Sequence, residues 1–569
     1  MSVLDPYDVR RVREAPGLLR AFNDAAVLTA ADVHVARRLL DLSGQPDELV
    51  ALAVGLAVRA PRLGSVCVDL ARARDTVAVD ADEPVDVSTL PWPDLEPWLA
   101  AVAKHPLAGG PLHLDGTLLY LDRYHREEER LAADLRAFGS AEPNEAKLAD
   151  GLVRLRLGGR QREAAETAVR RGLTVVAGGP GTGKTTTVAR IVALLCEQSE
   201  RPLIALAAPT GKAAARLTEA VHLAAEEMDV APAVRDRLGE LEASTLHRLL
   251  GWRPDSHSRF RHNRGNRLPH DVVIVDETSM VSLSLMARLV EAVRPSARLV
   301  LVGDPAQLTS IEAGAVLGDV VGPGTGEGVV TLDRVHRYGG AIAELAEAVH
   351  AGDADAALAV LNGGGEDVVW VDDAEAPLVR ELAVVHGRRV AAAARAGDAA
   401  GALDALQGFR ILCAHRRGPY GAATFNARVE AWLGAGGEGP WYPGRPLLVT
   451  ENDYELRLFN GDAGVVVQTA PDRVSAVFDR APFAPTRLGA VETVYAMTIH
   501  KSQGSQFEAA AVLLPEATSP ILTRELLYTG VTRAQKRLVV AGTEEAIRLA
   551  VERPVARASG LRQRLWGSA

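Results

Sequence analysis

Residues 173–187 read LTVVAGGPGTGKTTT, an apolar run that breaks into glycines and reopens as a helix. Gly178, Gly183, Lys184 and Thr185 fill the pattern G-x-x-x-x-G-K-[ST], with Gly179, Pro180, Gly181 and Thr182 between them and Thr186 following. A strand before and a helix after (TTTVARIVALL) form the context that a phosphate-binding loop needs. The glycines let backbone N–H groups wrap phosphate oxygens, and the helix N-terminus adds a favourable dipole. Lys184 is then expected to reach the β- and γ-phosphates of a nucleotide and Thr185 to hold Mg²⁺. The bland rival is a glycine-rich turn with an incidental lysine, and the flanking strand and helix weigh against it.

Outward from this loop the same alternation repeats. LIALAAPT, DVVIVDE and RLVLVGD are short apolar runs ending in Thr, Glu or Asp, each followed by a helix-like segment. That alternation implies a parallel sheet covered by helices. FRILCAHRR (409–417), GAVETVYAMT (489–498), AAAVLLP (509–515) and RLVVAGT (537–543) form a second series of the same kind. Between them PLLVTEND, GDAGVVVQT and VSAVFD are β-rich runs with Gly and Asn-Asp turns and no helix, which predicts a small inserted β-barrel. Residues 1 to about 140 read as mainly helical, EPNEAKLADG (142–151) as a polar linker, and RVAAAARAGDAAGALDAL as two helices joined by a turn. The expected fold class is α/β. Its divisions are 1–145, mainly helical; 150–345, a first parallel-sheet unit; 346–440 with 489–569, a second; and 441–488, the inserted barrel.

Two further motifs carry chemistry. In DVVIVDETSM (271–280) the strand ends in Asp276 and Glu277. Asp276 is placed to bind Mg²⁺, usually through water, and Glu277 to polarise an attacking water. Alone, a strand ending in Asp-Glu is a common helix cap; beside a phosphate loop it lies at the sheet crevice where ligands bind. In LVLVGDPAQLTSIEAG (299–314), Gln307 is a candidate to sense the γ-phosphate or position water.

Composition sets bounds. A chain of 569 residues, 47% hydrophobic and 24% charged, is an ordinary globular mix of roughly three or four domains. No apolar run of ~18 residues predicts a membrane span, and the start lacks an apolar signal core. Cys67, Cys196 and Cys413 lie far apart, which fits a reducing, cytoplasmic setting better than a disulfide framework or a metal knuckle. A net charge of −10 argues against nucleic-acid binding by bulk charge but leaves room for a local basic groove.

The order of P-loop, Asp-Glu box and GDPAQL resembles superfamily 1 helicases, and the fuller set resembles the RecD family, the alpha subunit of exodeoxyribonuclease V (RecBCD). APTGKAAARLTE (208–219) and STLHRLLG (244–251) resemble its first two DNA-contact motifs, through Thr210, Lys212, Thr245 and His247. LDRVHRY (332–338) resembles the box whose final arginine, Arg337, acts as a finger, with Arg334 as a rival. RQREAAETAV (160–169) resembles the adenine-reading box, through Gln161. YAMTIHKSQGSQF (495–507) and LLYTGVTRAQKRLVVAG (526–542) resemble the last two motifs. These motifs cover 160–542, about two-thirds of the chain, in family order. The N-terminal stretch HVARRLLDL…RLGSVCVDL resembles the family more loosely.

The resemblance implies two RecA-like domains with ATP between them and single-stranded DNA crossing their other surface. Thr498, His500 and Lys501 are then donors for DNA phosphates, Gln503 and Gln506 face the nucleotide, and Arg533 reaches the γ-phosphate on closure. Gln506 stands where the family usually has Glu, which puts a ribose contact in question. The implied function is ATP-dependent 5′→3′ translocation in a RecBCD-type helicase-nuclease at DNA double-strand breaks. The implied partners are RecB-like and RecC-like subunits, and 1–145 is their interface. No carboxylate-lysine nuclease cluster is evident, so no cutting is assigned to this chain. Alternatives are a stand-alone RecD-like helicase, which usually carries helix-hairpin-helix elements not seen in 1–140; an Upf1-like RNA helicase, whose zinc modules are absent; and an assembly subunit with a vestigial motor, which the intact motifs oppose. WRPDSHSRFRHNRGNRLPH (252–270), with five arginines and Trp252 and Phe260, is either a stacking patch for single strands or a solvated loop.

Overall fold

The computed structural model of the chain describes residues 11–77, 79, 86–253, 256–322, 326–333, 340–435, 439–453, 455–479 and 481–567. The alternating runs build two parallel sheets. The first orders its six strands Val329–Leu332, Leu173–Gly178, Arg298–Gly303, Val272–Val275, Ile204–Ala208 and Ala243–Thr245. Every pairing in it is parallel. Successive side chains point to opposite faces. Val176, Ile274, Val300 and Val302 therefore pack against helices Gly159–Arg170, Lys184–Gln198 and Gly211–Glu227. Val175, Val273, Val275 and Leu301 pack against helices Leu283–Ala292 and Asp122–Arg136. Burial on both faces is why these strands read as unbroken apolar runs. Each fully buried Val or Leu contributes about 1.5–3 kcal/mol.

The second parallel sheet orders Val368–Val371, Ala534–Ala541, Phe507–Leu513, Phe409–Cys413 and Ala496–Thr498. Its faces divide in the same way, Leu412, Val512 and Val540 on one side and Ile411, Ala511 and Val539 on the other. A five-stranded antiparallel sheet, ordered Ala481–Phe483, Arg473–Phe478, Ala463–Ala470, Pro446–Val449 and Val491–Thr493, is spliced into this unit. One of its faces lays Val465, Val467 and Val477 on Val390, Ala394 and Ala402 of helices Pro377–Arg395 and Ala399–Gln407.

The stretch 489–498, expected as one strand of the parallel sheet, is divided. Val491–Thr493 pairs antiparallel with Pro446–Val449, and Ala496–Thr498 pairs parallel with Phe409–Cys413. The chain changes sheets at Val494 and Tyr495, within an apolar run whose pattern is blind to the partner. The stretch 142–151, expected as a linker, opens a helix, Glu145–Arg154. Asn144 caps it by accepting from Lys147 N, and Leu148 and Leu152 bury against the first sheet's helices. Two leucines four residues apart suffice to anchor it among polar neighbours.

The N-terminal region combines helices Gly17–Asp24, Ala30–Ser43, Glu48–Arg62, Leu95–Lys104 and Asp122–Arg136 with a three-stranded sheet of Val68–Asp69, Leu118–Leu121 and Leu112–Asp115. The segment after helix Glu544–Glu552 returns to this region. Val555 N donates to Glu525 in the second unit, Arg557 donates to the Glu312 carbonyl in the first, and Val66 N donates to the Ala558 carbonyl. Helix Leu561–Trp566 then seats Leu561 and Leu565 among Leu131, Met286 and Val316. There Glu128, fully buried, accepts from Tyr120 Oη (2.9 Å), Ser559 Oγ (2.7 Å), Gly560 N (3.2 Å) and Arg564 Nε (3.2 Å). Among the described residues no helix is long and apolar enough to cross a membrane.

Candidate active site

Strands Leu173–Gly178, Arg298–Gly303 and Val272–Val275 are consecutive in the sheet and parallel, so their C-terminal ends open on one crevice. After the first, the chain turns through Gly181 and Gly183 with φ of 84° and 81°. That left-handed backbone is costly for residues with a Cβ and points successive N–H groups inward. Lys184 opens the helix Lys184–Gln198 and folds its Nζ onto the carbonyls of Gly178 (2.7 Å) and Gly179 (2.9 Å). Thr182 Oγ1 donates to the Gly179 carbonyl at 2.9 Å, and Pro180 is buried beneath the turn. Thr185 is half-buried and Thr186 exposed at the helix start. Gln161 lies against the loop, its Nε2 3.4 Å from the Thr182 carbonyl and its Oε1 accepting from Arg190 at 3.2 Å.

Asp276 and Glu277 close the next wall. Asp276 is buried, and burial, with Glu277 beside it, raises its carboxyl to about 7 against the opposing pull of Lys184. Glu277 adopts φ 52° and ψ 39°. A non-glycine residue in that region stores about 1–3 kcal/mol of strain, and such strain gathers at functional sites. Gln307 is buried with Nε2 on Asp304 Oδ2 (2.9 Å), while its Oε1 has no hydrogen-bond partner.

The second unit meets this edge directly. A Cβ added to Gly179 would lie 2.9 Å from the Tyr528 hydroxyl. Leu308 N donates to Thr529 Oγ1 at 2.9 Å, and Gln503 Nε2 donates to the Leu308 carbonyl at 2.6 Å. Arg533 is buried, donating to the carbonyls of Thr529 (3.0 Å) and Ser505 (3.2 Å). Gln506, by contrast, accepts from Gln535 at 3.1 Å on the exposed side of strands Phe507–Leu513 and Ala534–Ala541. Arg337 and its rival Arg334 lie outside the described residues.

The residues expected at DNA share a local design. Thr210, Thr245 and Thr498 each follow or end a strand and accept from the backbone N–H three residues on, of Ala213, Arg248 and Lys501. Each hydroxyl therefore caps a helical turn, as Thr does at such junctions. His247 is exposed, its ring 5.8 Å from that of Phe260. Burial and Arg557 lower the pKa of His500. Lys501 is exposed beside Glu492 at 3.4 Å. Lys212 reaches Ser505 Oγ at 2.7 Å, and burial lowers its ammonium to about 8. Trp252 and Phe260, expected in a stacking patch or a solvated loop, pair across a two-stranded hairpin. Sequence reading passed over Thr529, Tyr528 and Arg216. Their signal is weak, because a Tyr, Thr or Arg inside a helix is equally suited to packing or to solvent and only the facing domain gives it a partner.

The chain matches family models for an AAA domain over residues 161–313, a UvrD-like helicase C-terminal domain over 493–541, and the RecBCD enzyme subunit RecD, N-terminal domain, over 24–120. It is 56% identical over 562 residues to the RecBCD enzyme subunit RecD of Mycolicibacterium smegmatis, covering 96% of this chain and 99% of that one. The chain belongs to the RecD family. A second RecD, from Mycobacterium tuberculosis, is 53% identical over 580 residues, with 98% of each chain covered. The ATP-dependent RecD2 DNA helicase of Deinococcus radiodurans is 33% identical over 449 residues, covering 76% of this chain but 56% of that one. This RecD-family chain thus matches these two RecD subunits over nearly its whole length and the RecD2 helicase only in part. It is a helicase enzyme, and its P-loop edge fits the use of ATP.

Proposed function

We propose that the chain is the ATP-hydrolysing 5′→3′ DNA helicase subunit of a RecBCD-type helicase-nuclease. It works in the cytoplasm beside RecB-like and RecC-like subunits on duplex ends and the single strands drawn from them. The observation that carries this reading is the meeting of two parallel sheets, with a P-loop edge on one and Tyr528, Thr529 and Gln503 of the other reaching across it. In this reading residues 150–345 and 346–440 with 489–569 are two RecA-like motor domains. Residues 1–145 carry the partner interface, and 441–488 form a small inserted barrel.

ATP lies along Gly178–Thr186 with its base at Gln161. Lys184 leaves the carbonyls of Gly178 and Gly179 for the β- and γ-phosphates. Glu277 orients the attacking water, Gln307 helps to position it by accepting a hydrogen bond from it at the unpartnered Oε1, and Arg533 and Arg337 stabilise the charge that develops. Asp276 and Thr185 suit Mg²⁺: the ionised form of a buried carboxylate is favoured by a cation, and this ion takes few protein ligands when phosphates and water supply the rest. The bound ion would neutralise phosphate charge. Strand unwinding supports the whole reading if duplex with a 5′ single-stranded tail is opened and duplex with a 3′ tail is not; ATP hydrolysis indifferent to single-stranded DNA opposes it.

Two predictions follow from the DNA side. Lys501→Ala weakens single-strand binding alike across sequences and flattens the salt dependence by ~0.7 in log–log slope, the share of one phosphate contact. A salt titration with ATP-analogue affinity measured in parallel checks it, and an unchanged slope with lost analogue binding would move Lys501 to the nucleotide side. Replacing 441–488 by a short linker spares ATP-analogue binding and impairs unwinding, since no nucleotide motif falls in that segment. Phe459 of the segment touches Gly211, where an added Cβ would meet its Cβ at 2.8 Å. The insertion therefore abuts the helix that Thr210 caps. Loss of analogue binding in a folded deletion would refute the assignment.

A further inference from the structure

Residues Gln503, Gly504 and Ser505 use their polar groups on other motifs. Gln503 Nε2 holds the Leu308 carbonyl at 2.6 Å. The Gly504 carbonyl accepts from Arg216, and Ser505 Oγ from Lys212 at 2.7 Å, both on helix Gly211–Glu227 of the first domain. The Ser505 carbonyl accepts from Arg533 at 3.2 Å. Three residues of the second domain thus grip the helix capped by Thr210, the segment after Gln307, and the arginine expected at the γ-phosphate.

The grip on Leu308 is the most specific. Its N–H is held by Thr529 and its carbonyl by Gln503, so two second-domain side chains bracket one peptide residue of the first domain. That residue is the immediate neighbour of Gln307, whose Oε1 is buried without a partner. A shift of the second domain that carries Gln503 and Thr529 must move the Leu308 backbone or break both bonds, and either event re-aims Gln307. We infer that Gln503 is a positioning residue that couples domain movement to Gln307 through the Leu308 backbone, with Thr529 as its counterpart, rather than a ligand of the nucleotide. Lys212 and Arg216 tie the same tripeptide to the DNA side, which gives strand binding a route to Gln307.

The inference rests on the motor reading above, and a failure of that reading shows in the wild type, as hydrolysis that single-stranded DNA does not stimulate. The test uses the full chain with its co-purifying subunits. Gln503→Ala is expected to lower the DNA-stimulated kcat about 3–10-fold, the scale of one lost cross-domain hydrogen bond at about 0.7–1.4 kcal/mol, with KM for ATP within twofold. Gln503→Lys, which restores a donor, recovers most of that loss; Gln503→Glu, which keeps the size but presents an acceptor to the Leu308 carbonyl, does not. Thr529→Val combined with Gln503→Ala loses less than the product of the two single effects, because both act through one residue. Thermal melting within a few degrees of wild type shows that the variants are folded. A rise in KM of tenfold with kcat retained would make Gln503 a nucleotide ligand and overturn the inference. So would a kcat within twofold of wild type in Gln503→Ala, or strict multiplicativity in the double variant.

Discussion

Lys184→Gln abolishes DNA-stimulated ATP hydrolysis, lowering it at least about 100-fold, the scale expected when one preorganised donor to the developing charge is lost. The ammonium is already at the P-loop, 2.7 and 2.9 Å from the carbonyls of Gly178 and Gly179. A phosphoryl group arriving there takes over a cation with three donors. Glutamine fills similar space and still donates to those carbonyls, so the loop keeps its shape while the positive charge is lost. The melting temperature should stay within a few degrees of wild type, which separates loss of chemistry from loss of fold. Steady-state hydrolysis with saturating single-stranded DNA measures the effect; a variant that keeps most of the wild-type rate would remove the P-loop from the chemistry.

Glu128→Ala has the largest expected effect on stability. The carboxylate is fully buried and accepts four hydrogen bonds, from Tyr120, Ser559, Gly560 and Arg564. Removing it leaves the buried Tyr120 and Gly560 donors without an acceptor and takes one carboxylate from the half-buried Arg564 cation. Breaking a buried pair from one side costs about 3–5 kcal/mol. Arg564 keeps Asp115 and Glu129 as partners, so the lower end of that range applies here. Glu128→Gln retains one acceptor oxygen and loses less. The change is local, so hydrogen exchange of residues 556–566 reads it better than a global melt, and their exchange should accelerate at least tenfold. Unaltered exchange would mean that the four bonds do not hold the segment.

The inner strands of both parallel sheets and the P-loop were legible in the sequence for one reason, whereas the edge strands Val329–Leu332, Ala243–Thr245 and Val368–Val371 were not read. A strand buried on both faces between helices leaves an apolar run with a polar residue at its carboxyl end, and Asp276, Asp304 and Thr210 all stand at such ends. What escaped depended on partners, which no single stretch encodes. Val491–Thr493 and Ala496–Thr498 lie two residues apart in one short stretch and belong to different sheets. Leu148 and Leu152 anchor a helix in a stretch whose polarity reads as a linker. Within the site, residue type told which groups could serve phosphate or water but not which were engaged by their own backbone. Thr210, Thr245 and Thr498 are as good caps as they are donors. Gln503 is a hydrogen-bonding side chain in a motif shared by two ligands, and only the fold places Leu308 opposite it.

The helix Leu561–Trp566 also sets an order of events during synthesis. The first parallel sheet is complete in sequence by Leu332, yet Leu561 and Leu565 belong to its core and leave the ribosome after every strand of the second sheet. Until they arrive, Leu131, Met286 and Val316 lack part of their cover and Glu128 lacks three of its four donors. A nascent chain halted before residue 553 would hold both parallel sheets and still show an open apolar seam of the sort that aggregates or recruits chaperones. Maturation of the amino-terminal half is thereby tied to completion of the carboxyl-terminal half.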